Sequence, residues 1–127
     1  MAESPPPRTY AVQARSTDTF GRVLVDARDQ HLVADGPVQN GCPGEAIGPA
    51  ELFLAGVACC GVELLQVLAK DQSVPLKTVQ ASINAIQDPA KRTREDVSTF
   101  TSVRLDFRLT GVSREQADDL LERFKRR

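Results

Sequence analysis

The chain has 127 residues with a hydrophobic fraction of 41%, which predicts a single globular domain with one modest core. Its 16 basic side chains nearly balance 17 acidic ones, so the overall charge does not indicate nucleic acid or an anionic membrane as a partner. Three cysteines and one histidine form no metal-ligand pattern, so we expect reduced thiols, no metal ion and no cofactor.

The N-terminus begins MAESPPPR and lacks the basic and apolar regions of a secretory signal, so we expect a cytoplasmic protein. Residues 1–8 are expected to form a disordered arm ahead of a single domain over residues 9–127. Three short β-type stretches come next, and the polar turns between them predict a meander. They are Thr9–Arg15, Phe20–Ala27 and His31–Ala34.

The longest predicted helix contains the almost uncharged run GPAELFLAGVACCGVELLQVLA and is expected to end near Lys70 or Asp71, before Pro75. Gly48 suits the N-cap, Pro49 suits the first helical position, and Glu51 lies where the helix dipole favours an anion. We do not expect a membrane span, because only Leu52–Val62 is unbroken by charged or amide side chains and a bilayer requires about 20 apolar residues. A helix that is apolar on every side must be enclosed, so we expect a dimer that shares this helix.

Two later stretches have the period-two pattern of β-strands. Their apolar faces are Val79, Ala81, Ile83 and Ala85, and Val103, Leu105, Phe107 and Leu109. The charged segment between them, residues 88–98, is interpreted as the solvated turn of a hairpin. A capping box of Ser113 and Gln116 begins a closing helix, whose apolar stripe is Ala117, Leu120, Leu121 and Phe124. The order β-β-β-α-β-β-α predicts an α+β fold with an antiparallel sheet.

The stretch from Gly48 to Cys60 has a more specific pattern. Gly-Pro-x-Glu-Leu stands at the helix start, small residues occupy Ala55, Gly56 and Ala58, and a cysteine follows nine positions after the glutamate. With the segment order, this resembles the central-helix motif of the OsmC/Ohr proteins. The resemblance implies an intertwined homodimer with antiparallel sheets around two long central helices. It also implies a thiol peroxidase that reduces organic hydroperoxides in oxidative stress defence, using a dithiol reductant of the dihydrolipoyl type.

Carried over position by position, the peroxide-attacking residue is Cys60, at the dimer interface. Cys59 is interpreted as core packing, because consecutive helical residues point about 100° apart and the two thiols cannot face one pocket. A disulfide between them is not expected, since a regular helix does not offer its geometry. A reactive thiolate needs a cation, which the resemblance assigns to an arginine of the N-terminal strands. Arg15 and Arg22 are the candidates, and a solvated strand arginine is the alternative for each.

Three further ionisable side chains bear on this assignment. Glu51 matches the glutamate of the broader OsmC-like pattern, whereas the peroxidase subgroup has its glutamate one residue earlier, where this chain has Ala50. Glu63, one helical turn after Cys60, would disfavour a thiolate there if both faced the same pocket. His31 has no evident acidic or thiol partner and is interpreted as an ordinary strand residue.

The family's resolving cysteine stands in a Cys-Pro motif just after the closing helix, where the present sequence stops at Arg127. Either the protein lacks this thiol or the sequence is short of its true end. Cys42, in the flexible GCPG loop, is a candidate resolving thiol if the loop reaches Cys60, and an exposed cysteine without a role is the alternative. Two other functions remain open: a noncatalytic protein of the same fold that binds a small or lipid-like ligand, and a structural dimer with inert cysteines.

Overall fold

The computed structural model describes residues 4–92, 94–96 and 98–127. Five strands and two α-helices follow one another in the predicted order β-β-β-α-β-β-α, which confirms the α+β class. They are β1 (Gln13–Ser16), β2 (Arg22–Ala27), β3 (Gln30–Asp35), α1 (Pro49–Asp71), β4 (Thr78–Ile86), β5 (Ser102–Thr110) and α2 (Arg114–Lys125). The chain forms two compact units, Met1–Leu52 and Phe53–Arg127.

In the first unit, β1, β2 and β3 form an antiparallel sheet in chain order, which confirms the predicted meander. The first strand is shorter than predicted, because Gln13 pairs with Asp26 and β2 ends one residue later. Residues 9–12 therefore have almost no strand to pair with, and Tyr10 is 84% exposed. In the predicted arm, residues 4–8 are exposed and lie outside any helix or strand, and residues 1–3 lie outside the described part of the chain.

Helix α1 begins at Pro49, as predicted, and the backbone N–H of Gly48 donates a hydrogen bond to Glu51 Oε1 at 2.9 Å. This contact satisfies one of the donors that a helix start leaves without a partner. Only four of its 23 residues are buried, and all four lie in its second half: Gly61, Leu65, Leu68 and Ala69. One chain therefore does not enclose the helix on every side, and Phe53, Val57 and Val67 stay exposed.

The length of α1 does not exclude a membrane span, contrary to our expectation. The helix continues through Glu63 and Gln66, and an 18-residue window within it has a mean hydropathy of 2.1. By length and composition it could cross a bilayer, although the core helices of soluble proteins meet the same criterion.

In the second unit, β4 and β5 form an antiparallel hairpin in which Ala81 pairs with Phe107. The inward faces are as predicted, except that Val103 at the open end of the hairpin is 52% exposed. Of the predicted turn, Thr93 and Val97 lie outside the described residues. Helix α2 begins at the predicted capping box, with hydrogen bonds in both directions between Ser113 and Gln116.

The core of the second unit joins the second half of α1 to the hairpin and to α2. Its buried members are Leu65, Leu68, Ala69 and Leu120, with Phe107 and Phe124 packed against them. This packing fixes one side of α1 and leaves the side that carries the two cysteines open to solvent.

Candidate functional site

Cys59 and Cys60 are both exposed and line two different cavities of the second unit. Their predicted divergence is thus observed, but the interpretation of Cys59 as core packing is wrong, because the core lies on the opposite side of α1. Cys59 lies in an open pocket of about 360 Å³ that also contains Glu63 and Gln66, here called the Cys59 pocket. All three cysteines of the chain are free thiols.

Cys60 lies in a larger depression of about 520 Å³, here called the Cys60 groove. Its eight lining residues are Phe53, Gly56, Val57, Cys60, Gly61, Leu64, Phe124 and Arg127. Phe53, Val57, Cys60 and Leu64 are spaced by four, three and four positions, which places them on one face of α1. The thiol is therefore the one nucleophile in a groove whose walls are mainly apolar.

Gly61 lets strand β5 pack closely against α1 beside the groove. A Cβ atom at this position would lie 2.8 Å from Cζ of Phe107, which is closer than packed atoms tolerate. The absence of a side chain lets Phe107 of β5 reach α1, and Phe107 meets Phe124 edge to face with ring centroids 5.3 Å apart. This aromatic pair anchors Phe124, which forms one wall of the groove.

Arg127 is the only charged side chain among the eight lining residues of the Cys60 groove. Sequence reasoning missed it, because the basic run at the end of α2 was explained by the helix dipole alone. Arg127 lies two residues beyond the end of α2 at Lys125, so the helical spacing of the apolar stripe gave no signal for it. Glu63 lines the Cys59 pocket and does not line the Cys60 groove.

The other predicted site residues, Arg15, Arg22, Glu51 and Cys42, belong to the first unit. Arg22 donates hydrogen bonds from Nε and Nη2 to the two carboxylate oxygens of Asp35, at 2.8 and 2.9 Å. Asp35 is 1% exposed and is the buried polar residue of this unit. The Arg22 guanidinium is thus bound at two nitrogen atoms to a carboxylate.

Asp35 also holds the segment that leads into α1. Its Oδ2 accepts hydrogen bonds from the backbone N–H groups of Glu45 and Ala46, at 3.0 and 2.9 Å. The hydrogen bonds from Arg22 lower the pKa of Asp35 well below its ordinary value, assisted by these two backbone donors and opposed by burial. The same pair raises the pKa of Arg22. The ion pair therefore has a structural role, connecting β2 and β3 to the loop before α1.

Arg15 lies on the exposed side of the first sheet, where its Nη1 donates a hydrogen bond to Asp26 at 3.1 Å. His31 Nδ1 contacts the other oxygen of the same carboxylate. The interpretation that His31 has no acidic partner is therefore wrong, and the reason is the strand register, which places Asp26 directly opposite His31. The hydrogen bond from His31 is the main cause that lowers the pKa of Asp26.

Cys42 is half-buried, contrary to the description of a flexible, exposed loop thiol. Its side chain fills the space beside two glycines: a Cβ at Gly21 would lie 2.4 Å from Cys42 Sγ, and one at Gly36 would lie 2.5 Å away. The N–H of Gly36 donates to the carbonyl of Gly21 at 2.8 Å, which brings the two backbones together around the thiol. The GCPG loop is therefore held by packing.

Glu51 is engaged at the start of α1, where it accepts the Gly48 N–H. It also lines a cavity of about 580 Å³ in the first unit, together with Pro37, Val38 and Pro49. Within the described ranges, no group of three His, Cys, Asp or Glu side chains could hold a metal ion.

Comparisons with known proteins agree with this architecture. A family model described as OsmC-like protein matches residues 42–127. No curated protein sequence is significantly similar to the chain.

Among solved structures, the chain is similar to an organic hydroperoxide resistance protein OsmC from Legionella pneumophila, with 24% identity and a TM-score of 0.73, covering 94% of this chain and 84% of that one. An OsmC-like protein from Mycoplasma pneumoniae has 11% identity and a TM-score of 0.79, with 94% and 82% covered. The organic hydroperoxide resistance protein OhrB of Bacillus subtilis has 21% identity and a TM-score of 0.60, with 91% and 82% covered. These likenesses show a shared fold.

Proposed function

Since the chain belongs to the OsmC-like protein family, we propose that it reduces organic hydroperoxides with Cys60 as the reacting thiol. The observation that carries the proposal is the exposed Cys60 thiol within a mainly apolar groove. The apolar walls of the groove can contact the organic part of a hydroperoxide, and the accessible thiol can attack its O–O bond. The similar proteins from Legionella pneumophila and Bacillus subtilis are organic hydroperoxide resistance proteins, which supports this choice of substrate class.

In the proposed reaction, the Cys60 thiolate attacks the terminal oxygen of the hydroperoxide. A sulfur–oxygen bond forms as the O–O bond breaks, and the alkoxide takes up a proton and leaves as an alcohol. Sulfur loses the two electrons that reduce the peroxide, so Cys60 becomes a sulfenic acid. The groove holds the organic part of the hydroperoxide beside the thiol. The reaction then takes place between two groups that are already in contact, which lowers its entropic cost.

An external dithiol completes the proposed cycle. Its first sulfur attacks the Cys60 sulfur, the S–S bond forms, and the oxygen leaves as water. Its second sulfur then closes an intramolecular disulfide in the reductant and releases the Cys60 thiolate. Cys42 is packed against Gly21 and Gly36 and Cys59 faces its own pocket, which favours an external reductant over a resolving thiol in these positions. A cytoplasmic location, where dithiols stay reduced, fits this need.

The exposed side of α1 supports a homodimer with Cys60 at its interface. Phe53 is 65% exposed and Val67 is 40% exposed, although both belong to the longest and most apolar helix of the chain. Large apolar side chains that stay exposed on one element commonly mark an association surface. A second copy that brings its own α1 to this surface would bury them symmetrically.

The proposed reaction is tested with the matched variants Cys60→Ser and Cys59→Ser. Consumption of tert-butyl hydroperoxide with dihydrolipoic acid as the reductant should fall to the uncatalysed rate in Cys60→Ser and remain in Cys59→Ser. Mass spectrometry after a limiting dose of peroxide should locate the sulfenic acid at Cys60. Peroxide consumption that survives Cys60→Ser would sink the proposal.

The Cys60 groove also supports the alternative of noncatalytic binding, because about 520 Å³ of mainly apolar space matches the size of small-molecule sites. In that case, an aromatic or lipid-like probe should raise the melting temperature of the Cys59→Ser/Cys60→Ser double variant as much as that of the natural chain. The further alternative, a structural dimer with inert cysteines, requires both thiols to resist alkylation in the folded protein.

A further inference from the structure

The Cys60 groove concentrates the aromatic side chains of the protein. The chain has only five phenylalanines and one tyrosine, and no tryptophan. Two of these six side chains, Phe53 and Phe124, line the groove. Two more contact them from other parts of the second unit: the ring centroid of Phe100 lies 6.2 Å from that of Phe53, and the centroid of Phe107 lies 5.3 Å from that of Phe124. Each aromatic wall of the groove is therefore supported by a second ring.

The Phe124 ring lies against the turn of α1 that carries the thiol. A Cβ atom at Gly61, the residue after Cys60, would lie 3.7 Å from Cε2 of Phe124, which is an ordinary packing distance. Phe124 is half-buried, and its contact with Phe107 is edge to face, with 78° between the ring planes. This contact restricts the orientation of the Phe124 ring and leaves part of the ring accessible from the groove.

Phe53 forms the second aromatic wall, farther along the helix from the thiol. It precedes Cys60 by seven positions, which is two helical turns or about 10 Å along the axis of α1. Its side chain is 65% exposed. Phe124, which packs at Gly61, is therefore the aromatic wall closer to Cys60 along the helix.

The pocket of the neighbouring thiol has no such walls. The residues that line it in the described structure are Ala58, Cys59, Val62, Glu63, Gln66 and Ala81, and none of these six is aromatic. Two thiols on consecutive residues thus differ in their surroundings, one with aromatic walls and one without. Cys59 provides an internal comparison for Cys60.

We propose that Phe124 is a specificity-determining residue, which gives the Cys60 groove a preference for reactants whose organic part is an aromatic ring. Aromatic rings pair edge to face or in an offset stack, and such a pair is more favourable than the burial of its area alone. Phe107 is a positioning residue, because it acts through Phe124. The inference rests on the proposed role of Cys60 as the reacting thiol, and it narrows the substrate class to hydroperoxides that carry an aryl group.

The test uses two thiol reagents of similar size, N-phenylmaleimide and N-cyclohexylmaleimide, which differ in the aromatic character of the ring. Cys60 is measured in the Cys59→Ser background and Cys59 in the Cys60→Ser background, with mass spectrometry as the readout. The ratio of the phenyl rate to the cyclohexyl rate is divided by the same ratio for glutathione, which removes the intrinsic difference between the reagents. This normalised ratio should be higher at Cys60 than at Cys59 by about two- to tenfold, the range expected for one aromatic contact.

Phe124→Leu should lower the normalised ratio at Cys60 to the value found at Cys59, and Phe124→Tyr should preserve it. Phe20→Leu is the matched control, because Phe20 is 75% exposed, belongs to the first unit and does not line the groove. It should leave the ratio at Cys60 unchanged. Circular dichroism verifies that each variant folds. The comparison between the two thiols needs no change at Phe124, so it decides the inference even if Phe124→Leu does not fold.

Equal normalised ratios at the two thiols, or an unchanged ratio at Cys60 in a folded Phe124→Leu variant, would overturn the inference. Turnover gives a second readout, since cumyl hydroperoxide is tert-butyl hydroperoxide with one methyl group replaced by phenyl. Its kcat/KM relative to that of tert-butyl hydroperoxide should fall in Phe124→Leu and not in Phe20→Leu. Alkylation needs no peroxide, so a failure of the proposed peroxidase reaction would appear separately, in the Cys60→Ser comparison.

Discussion

Arg22 and Asp35 form a two-point ion pair, with hydrogen bonds of 2.8 and 2.9 Å, across neighbouring positions of β2 and β3. The carboxylate is buried and also accepts two backbone N–H groups from the segment that precedes α1. One side chain thus connects a strand pair to the start of the helix that carries the candidate nucleophile.

Removal of the Asp35 charge should destabilise the protein in a pH-dependent way. Because the pKa of Asp35 is lowered in the folded state, its contribution to the free energy of unfolding is present above the ordinary aspartate pKa of 3.8 and is lost as the pH falls further. Asp35→Asn should therefore lower the urea midpoint at pH 7, and the difference from the natural chain should shrink in acid. The exposed Asp18→Asn is the control, and an equal effect from it would contradict the assignment.

Gly61→Ala should destabilise the second unit, since its Cβ would lie 2.8 Å from the Phe107 ring. Overpacking of this kind costs typically about 1–3 kcal/mol, partly offset by the better helix propensity of alanine. The measurement is urea unfolding, compared with Gly56→Ala, where a Cβ meets no atom of the described chain within 4 Å. Gly56→Ala should be neutral or stabilising by up to about 1 kcal/mol, and a cost there would indicate that a second copy packs on this glycine.

Gly36→Ala should destabilise the first unit, because its Cβ would lie 2.5 Å from the Cys42 thiol. We expect a cost of about 1–3 kcal/mol from overpacking, and Cys42→Ala should restore part of it when the two changes are combined. Chemical denaturation of the two single variants and the double variant measures this coupling. Strictly additive effects would show that the thiol and the glycine do not share the same space.

Val67→Asp should dissociate the proposed homodimer, because it places a charge on the exposed apolar side of α1 without altering the core. Light scattering coupled to gel filtration should report the mass of one chain at micromolar concentration. Gln72→Asp, which changes an exposed residue just beyond the helix end, should leave the dimer intact. A natural chain that is already monomeric would contradict the proposed assembly.

Much of the fold could be predicted from local patterns. The capping box at Ser113, the proline at the start of α1 and the alternation of Val79 to Ala85 each depend on neighbouring residues, and each is observed. The wrong predictions concern contacts between residues that lie far apart in the sequence. Cys59 was assigned to the core because a run without charge does not reveal which side of a helix faces solvent. His31 was predicted to have no acidic partner, because the strand register that places Asp26 opposite it cannot be read from the sequence.

In the candidate site, too, local patterns revealed some residues and missed those that are placed by tertiary packing. Cys60 was found from a motif within one helix, whereas Arg127 reaches its groove only through the packing of α2 against Gly61 and Phe107. Arg22 was predicted as a candidate cation for Cys60, but its hydrogen-bond partner is a buried aspartate thirteen residues away, which no local pattern indicates. Ion pairs that depend on tertiary contacts are therefore the part that sequence reasoning could not supply.

The divergence of Cys59 and Cys60 has a practical consequence for measurement. No lysine or arginine occurs between Arg28 and Lys70, so tryptic cleavage leaves all three thiols on one peptide, residues 29–70. That peptide contains the thiol of the Cys60 groove, the thiol of the Cys59 pocket and the half-buried Cys42 thiol, and all three are treated with the same reagent for the same time. Differences in their modification therefore report local chemistry directly, with each molecule serving as its own internal standard.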